Sequence, residues 1–289
     1  MFQDILISGL INGGVYALLA IGFSLIFGVA RIVNIAHTAF YMLASYALYG
    51  LLVVGGVPLL LAIPLAVVAV VALSLLCYKL VIEPVRQHES AVLIATIALA
   101  LIFQESLLVS FGGHFLGIPN AVEGVVSIIG VRVSYQRLII LLVVAITLVA
   151  TWYLLNRTRL GLAIRASAND QEIANLMGMN VNRVAMYTVG ISVGLAAIAG
   201  VVVAPVFVVD PLMWLSPLVT MLAIVVLGGL GSLKGSLIGA FIIGYVEAIT
   251  VFAVPSGSYL KGAVALSIMI LVLLIRPEGL FGVVFEEER

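Results

Sequence analysis

Charge is what this sequence has least of. Of 289 residues, 13 are Lys or Arg and 13 are Asp or Glu, 9% in all, where an ordinary soluble domain carries about 25%. That is too little polar surface to cover a water-soluble globule. A formal net charge of 0 with the charges dispersed offers no basic field to phosphates, which excludes nucleic acid as a partner. Cysteine is nearly missing: Cys77 stands alone, so neither a disulfide scaffold nor a Cys-based metal site can be assembled, and Cys77 reads as a small apolar core residue. The three histidines, His37, His88 and His114, are far apart and near the ends of apolar runs. There is no HExxH for zinc and no GxSxG for a serine nucleophile, so no enzyme constellation forms. A phosphate loop fails as well, because Leu233-Lys234-Gly235-Ser236 lacks the Gly-Lys-Ser/Thr order that the loop needs. No metal, nucleotide or other cofactor is expected on this chain.

Apolar residues take the space that charge leaves: 64% of the chain, with a mean hydropathy of +1.33. The apolar runs are roughly twice the length of the alternating strands of about 10 residues that build membrane barrels, which excludes a barrel. Phe2-Gln3-Asp4 lacks the positive region of a cleaved signal peptide and runs straight into an apolar stretch, so it reads as part of a mature first helix. On a scale of about 20 apolar residues per crossing, spans fall near Ile5–Phe27, Thr38–Val54, Leu59–Tyr78, Ala91–Phe111, Leu138–Leu155, Val184–Val208, Leu218–Leu230, Leu237–Phe252 and Ala263–Ile275. The seventh and ninth are short and suit broken helices. The expectation is an all-α integral membrane protein of about eight to ten transmembrane helices, forming one membrane domain over residues 1–289.

Placement of the cations orients it. One side collects Arg31, Lys79, Arg86, Arg157, Arg159, Arg165, Arg183, Lys234, Arg276 and Arg289, and the other has Arg132, Arg137 and Lys261. The positive-inside rule then puts the N-terminus outside and the C-terminus inside. The first four and last four spans run oppositely about the fifth, as an inverted repeat requires.

Four features carry the candidate chemistry. The largest inside loop, 156–183, holds four Arg, with Ile173, Leu176 and Met177 at i, i+3, i+4. With Ser167 or Asn169 as N-cap, Asp170 and Glu172 near a positive helix start and Gly178 as a stop, it reads as a short amphipathic helix. That helix either lies in the lipid head groups or docks another protein. Next, Gly231, Gly235 and Gly239 recur every four residues, a spacing that lets helices pack closely. Third, polar groups interrupt the spans: Asn12, Gln104 and Glu105, and Glu247. A carboxylate at membrane depth costs at least about 2.5 kcal/mol and marks a cavity or a partner, although a hydrogen-bonded packing role fits Glu105 equally. Glu247 is the weaker candidate, since a later-starting helix would move it toward the interface. Last, RIVNIAH (31–37) suits a partly buried turn or broken helix. In it, Asn34 and His37 either face a substrate path or serve as a helix cap and a satisfied interfacial residue.

Taken in order along the chain, GLINGGVYALLAIGFSLIFGVARIVNIAHTAFYMLASY (9–46), ANDQEIANLMGMNVNRV (168–184), VVLGGLGSLKGSLIGAFIIGYVE (225–247) and RPEGLFG (276–282) resemble the inner-membrane permease subunits of ATP-binding-cassette (ABC) importers for branched-chain amino acids, of the LivH-like family. The family often has Gly-Glu after its Asn-x-Ala-His turn. This chain has Thr38-Ala39 there, so a carboxylate that could meet a substrate is absent. The resemblance implies a bacterial inner-membrane subunit that translocates branched-chain or other hydrophobic amino acids. It implies as partners a second, homologous permease, two cytoplasmic ATPases that carry ATP-Mg, and an external solute-binding protein. The same family looks to include importers of urea, short amides and small or aromatic carboxylates. Arg165, Asp170, Glu172, Ala174 and Gly178 match its ATPase-coupling element, which favours docking over a passive interfacial helix. Asn12, Asn34, His37, Gln104, Glu105 and Glu247 are the candidate substrate-path residues. An ion-coupled secondary transporter that uses Glu105 is the competing class.

Overall fold

The computed structural model describes residues 2–120, 122–128 and 131–282; Arg289, counted among the inside cations, lies outside them. The chain is a helical bundle with one small hairpin. α1 (Phe2–Ala30), α2 (His37–Tyr49), α3 (Leu59–Cys77) and α4 (Glu89–Phe111) are followed by antiparallel strands β1 (Val125–Ile128) and β2 (Val131–Ser134). α5 (Tyr135–Arg157), α6 (Arg159–Asn169), α7 (Gln171–Leu176), α8 (Val181–Val203), α9 (Leu215–Gly228), α10 (Leu233–Ala253) and α11 (Lys261–Ile275) complete it.

Among the described residues, seven helical stretches are long and apolar enough to cross a membrane, and α9 and α11 are shorter apolar helices of 14 and 15 residues. All nine stand where the apolar runs place them. The break before α9 has a local cause. α8 ends at Val203; Ala204 keeps a helical φ of −52° and ψ of −35° and still donates to the Gly200 carbonyl, but Pro205 has no N–H with which to continue the ladder. The chain then runs through an irregular stretch whose Val209 pairs with Leu116.

Burial ranks the helices. The apolar window of α1 is 83% buried, whereas those of α3 and α5 are 22% buried, so α1 is the axis and α3 and α5 are periphery. α1 packs chiefly along α10 and α8. Along the antiparallel α1–α10 seam, a Cβ on Gly244 would stand 2.5 Å from the Gly13 backbone nitrogen and 2.6 Å from its Cα. Only glycine permits that approach, the reason small residues line helix contacts in membranes. Two polar bonds cross the same seam, Ser24 with Ser236 and Tyr16 with Glu247.

At the α9–α10 corner, Gly228 and Gly235 touch backbone to backbone, and Gly239 sits 3.0 Å in Cβ terms from the Ile224 carbonyl. Gly231 departs from the packing role expected of it. It lies in the turn before α10 with a φ of 80° and meets nothing closer than 3.6 Å. The four-residue spacing begins before the helix does, because Ser232 caps α10 by accepting the Gly235 N–H at 3.1 Å.

Gly244→Leu is expected to destabilise the bundle by about 3 kcal/mol through overpacking, with a lower unfolding temperature in detergent. Gly262→Ala, where a Cβ meets nothing within 4 Å, is the matched control and leaves it within about 0.5 kcal/mol.

Candidate functional site

The 156–183 segment folds into two helices where one was expected. Thr158 caps α6 by accepting the Gly161 N–H at 3.0 Å, so Ser167 and Asn169 fall inside α6 and cap nothing. The N-cap of α7 is Asp170, whose Oδ1 accepts from the N–H groups of Glu172 at 2.8 Å and Ile173 at 2.9 Å. An anion at the positive end of a helix is favoured on charge as well as on bonding. Gly178 ends α7 as expected: its φ is 82°, its N–H donates to Asn175, and the Met179 N–H donates back to Ala174. This is a Schellman closure. Only six residues long, α7 depends on these ends, since isolated helices of that length are not stable in water.

α7 buries Ala174 against the bundle and leaves Ile173, Leu176 and Met177 exposed, at 58%, 87% and 76%. Glu172 is also exposed, and Arg165 is exposed on α6. A residue absent from the expected set ties α7 down: the Gln171 amide donates at 2.7 Å to the Val29 carbonyl in the last turn of α1. Arg86, from the α3–α4 connection, donates to Gln171 Oε1 at 3.3 Å and to Asn182 at 3.1 Å. A last-turn helix carbonyl lacks an intrahelical partner, and that was the available signal for Gln171.

Just beyond Val29 the chain leaves the helix. Arg31 has a φ of 56°, residues 31–36 are irregular, and α2 begins at His37. The Ile35 N–H donates to Thr96 on α4 at 3.3 Å. Asn34 does not cap α2 with its side chain, and that cap position belongs to Ala36. Instead the Asn34 carbonyl accepts the His37 N–H at 3.2 Å. Asn34 Oδ1, both His37 ring nitrogens and the Thr38 hydroxyl are buried and, among the described residues, meet no partner in good hydrogen-bond geometry, although the Leu19 backbone lies beside the His37 ring. Buried polar groups left so are rare, and three neighbouring residues share the condition here.

The remaining candidates separate into two places. Glu247 is 1% exposed, packed inside the bundle. Tyr16 donates to its Oε2 at 2.8 Å and Thr220 to its Oε1 at 3.4 Å. Asn12 lies one turn before Tyr16, and both line a cavity of about 210 Å³. Gln104 is half-buried: the Trp214 indole donates to its Oε1 at 2.9 Å, and its amide donates to Glu105 at 3.1 Å. Glu105 itself faces outward from α4, among Leu101, Ile102, Leu108 and Val109. Asn34 and His37 belong to neither place.

Residues 5–273 match the family described as "Branched-chain amino acid transport system / permease component". The chain belongs to that family. The Pseudomonas aeruginosa high-affinity branched-chain amino acid transport system permease protein BraD is 31% identical to it, over 96% of this chain and 94% of the relative. The Escherichia coli permease protein LivH of the corresponding system is 29% identical, over 97% and 96%. Among solved structures, a chain of PsaBC from Streptococcus pneumoniae in complex with Fab superposes with a TM-score of 0.55 at 18% identity, covering 95% of this chain and 92% of that one. That likeness concerns the fold alone. The protein is thus an ABC-type permease subunit, a transport component. It is a multi-pass protein of the bacterial inner membrane.

In this permease Asp170→Ala removes the two bonds that begin α7. Loss of such a cap costs about 1 kcal/mol, so amide exchange at residues 172–176 is expected to speed by about fivefold while membrane insertion is unchanged. Exchange mass spectrometry on the purified protein measures it.

Proposed function

We propose that the permease forms the membrane path of an ATP-driven importer of branched-chain or other hydrophobic amino acids. Working with it would be a second, homologous permease, two cytoplasmic ATPases that hold the ATP-Mg, and an external solute-binding protein. The single observation that carries this reading is α7: a short helix, capped at both ends and tethered by Gln171, with Ile173, Leu176 and Met177 presented outward. Three apolar side chains at i, i+3, i+4 suit a helix-in-groove contact with another protein. The N-out, C-in orientation puts that surface on the ATPase side.

The mechanism follows from the tether. ATP binding draws the two ATPases together and moves the groove that holds α7. Gln171 joins α7 to the last turn of α1, so the displacement reaches the irregular 31–36 turn and the axis of the bundle. ATP supplies the bias by binding one conformation better than the other. In this reading Arg165, Asp170, Glu172, Ala174 and Gly178 serve coupling. Asn12, Gln104 and Glu247 line or support the substrate path, Asn34 and His37 sit at the unwound turn, and the outward-facing Glu105 lies off the path.

Reconstituted with its partners, the permease should take up leucine only with ATP and the external binding protein. Uptake of urea or an amide in place of leucine overturns the substrate class. Uptake by this chain alone, driven by a pH gradient and lost in Glu105→Gln, overturns the ABC mechanism. Glu172→Lys and Gly178→Asp should each lower ATP-driven uptake at least about tenfold by weakening ATPase docking, with insertion intact. Gly178→Asp adds the cost of a side chain at positive φ. Co-purification of the ATPases reads the docking directly.

A further inference from the structure

The cavity beside Tyr16 has a polarity that its size alone does not require. Its walls come from α1, α2, α9, α11 and the α8–α9 connection, and Ile11, Val15, Val203, Phe207 and Met213 make most of them apolar. The polar lining is Asn12, Tyr16, Tyr41, Ser216 and Lys261. The Tyr16 hydroxyl hydrogen is committed to Glu247 Oε2 at 2.8 Å. A hydroxyl has one donor and two acceptor lone pairs, so what Tyr16 retains for a neighbour is acceptor capacity, with a carboxylate behind it. Lys261, the first residue of α11, lines the same cavity and lies near enough to act electrostatically on Glu247. An adjoining space of about 170 Å³ shares Ile11, Asn12, Phe207 and Lys261 and adds Arg137.

One wall therefore accepts hydrogen bonds through a Tyr16 oxygen oriented by Glu247, another carries Lys261, and apolar side chains fill the rest. Ligand sites are mostly apolar with a few placed polar groups, and drug-sized ligands need about 300–1,000 Å³, so a smaller molecule suits this one. From this we infer that the cavity is a binding site for a small zwitterion with an aliphatic side chain, its α-ammonium toward the Tyr16 oxygen and its carboxylate toward Lys261. Urea and amides carry no charge to use either wall, and simple carboxylates leave the Tyr16–Glu247 wall unanswered. The inference rests on the amino acid reading above and locates where in this chain the substrate is held.

Equilibrium binding to the complete transporter in lipid nanodiscs, without the external binding protein, tests it. The probes are radiolabelled leucine, with isopentylamine (no carboxylate) and 4-methylpentanoate (no ammonium) as competitors. Wild type should bind leucine at least about tenfold more tightly than either analogue, since each leaves one polar wall unpaired. Lys261→Met should erase the advantage over isopentylamine while retaining that over 4-methylpentanoate, and Tyr16→Phe should do the reverse. A purely structural loss would weaken all three compounds alike. That result, or leucine affinity and discrimination within about twofold of wild type in both variants, overturns the site. Lys261→Met alone decides if Tyr16→Phe fails to assemble, because Lys261 is half-buried at a helix start. Wild-type leucine uptake without saturable leucine binding also overturns the site and leaves the importer reading standing. Uptake of urea and not leucine overturns that reading itself.

Discussion

The approach of α1 to α10 governs the rest of this bundle. Without Gly13 and Gly244 the two backbones would be held apart by a side chain's width. At that greater separation neither Tyr16 with Glu247 nor Ser24 with Ser236 would meet across the seam. The hydrocarbon of a bilayer provides no water to satisfy a stranded polar group, and the close seam is what lets a carboxylate be buried at all. Glu247 is then both a product of the packing and the acceptor that orients the Tyr16 hydroxyl at the cavity wall. The lipid-facing helices α3 and α5 follow, since the apolar sides they leave outward are those that α1, α8 and α10 do not cover.

A second constraint acts at the end of the bundle that carries α7. α7 is too short to hold itself as a helix, and its ends are therefore closed by Asp170 and by Gly178. Gln171 uses the orphan carbonyl of Val29 as its anchor. The same bond that fixes α7 in place connects it to the segment where α1 unwinds. Beyond that segment lie the unpartnered groups of Asn34, His37 and Thr38. A motion applied to α7 thus reaches a region whose polar groups are not committed to any one arrangement, which suits a part that must change partners.

The spans were legible because length and hydropathy are local properties, and the two short ones were legible as short. The stop at Gly178 could be read for the same reason, since a glycine just past the last periodic residue is a local signal for a helix end. The start of α7 was misread: Ser167, Asn169 and Asp170 are all capping residues, and which of them caps depends on where α6 ends. Glu247 was undervalued and Glu105 overvalued for a related reason. Position along a helix tells how deep a carboxylate lies, and only the packing of its neighbours tells which way it faces. Gln171 was missed because its partner, Val29, is 142 residues away.

What the sequence determined by itself is the solvent, the class and the family: 26 charges among 289 residues admit only a bilayer, and the ordered motifs from residues 9 to 282 identify a permease. Those are sums and local patterns, fixed before any contact forms. The tertiary structure decided which carboxylate is buried, which side chain caps α7, and that Tyr16 and Lys261 line one cavity. The buried carboxylate and the shared cavity join residues far apart in the chain, and periodicity along one helix contains no information about the face that a distant helix presents to it.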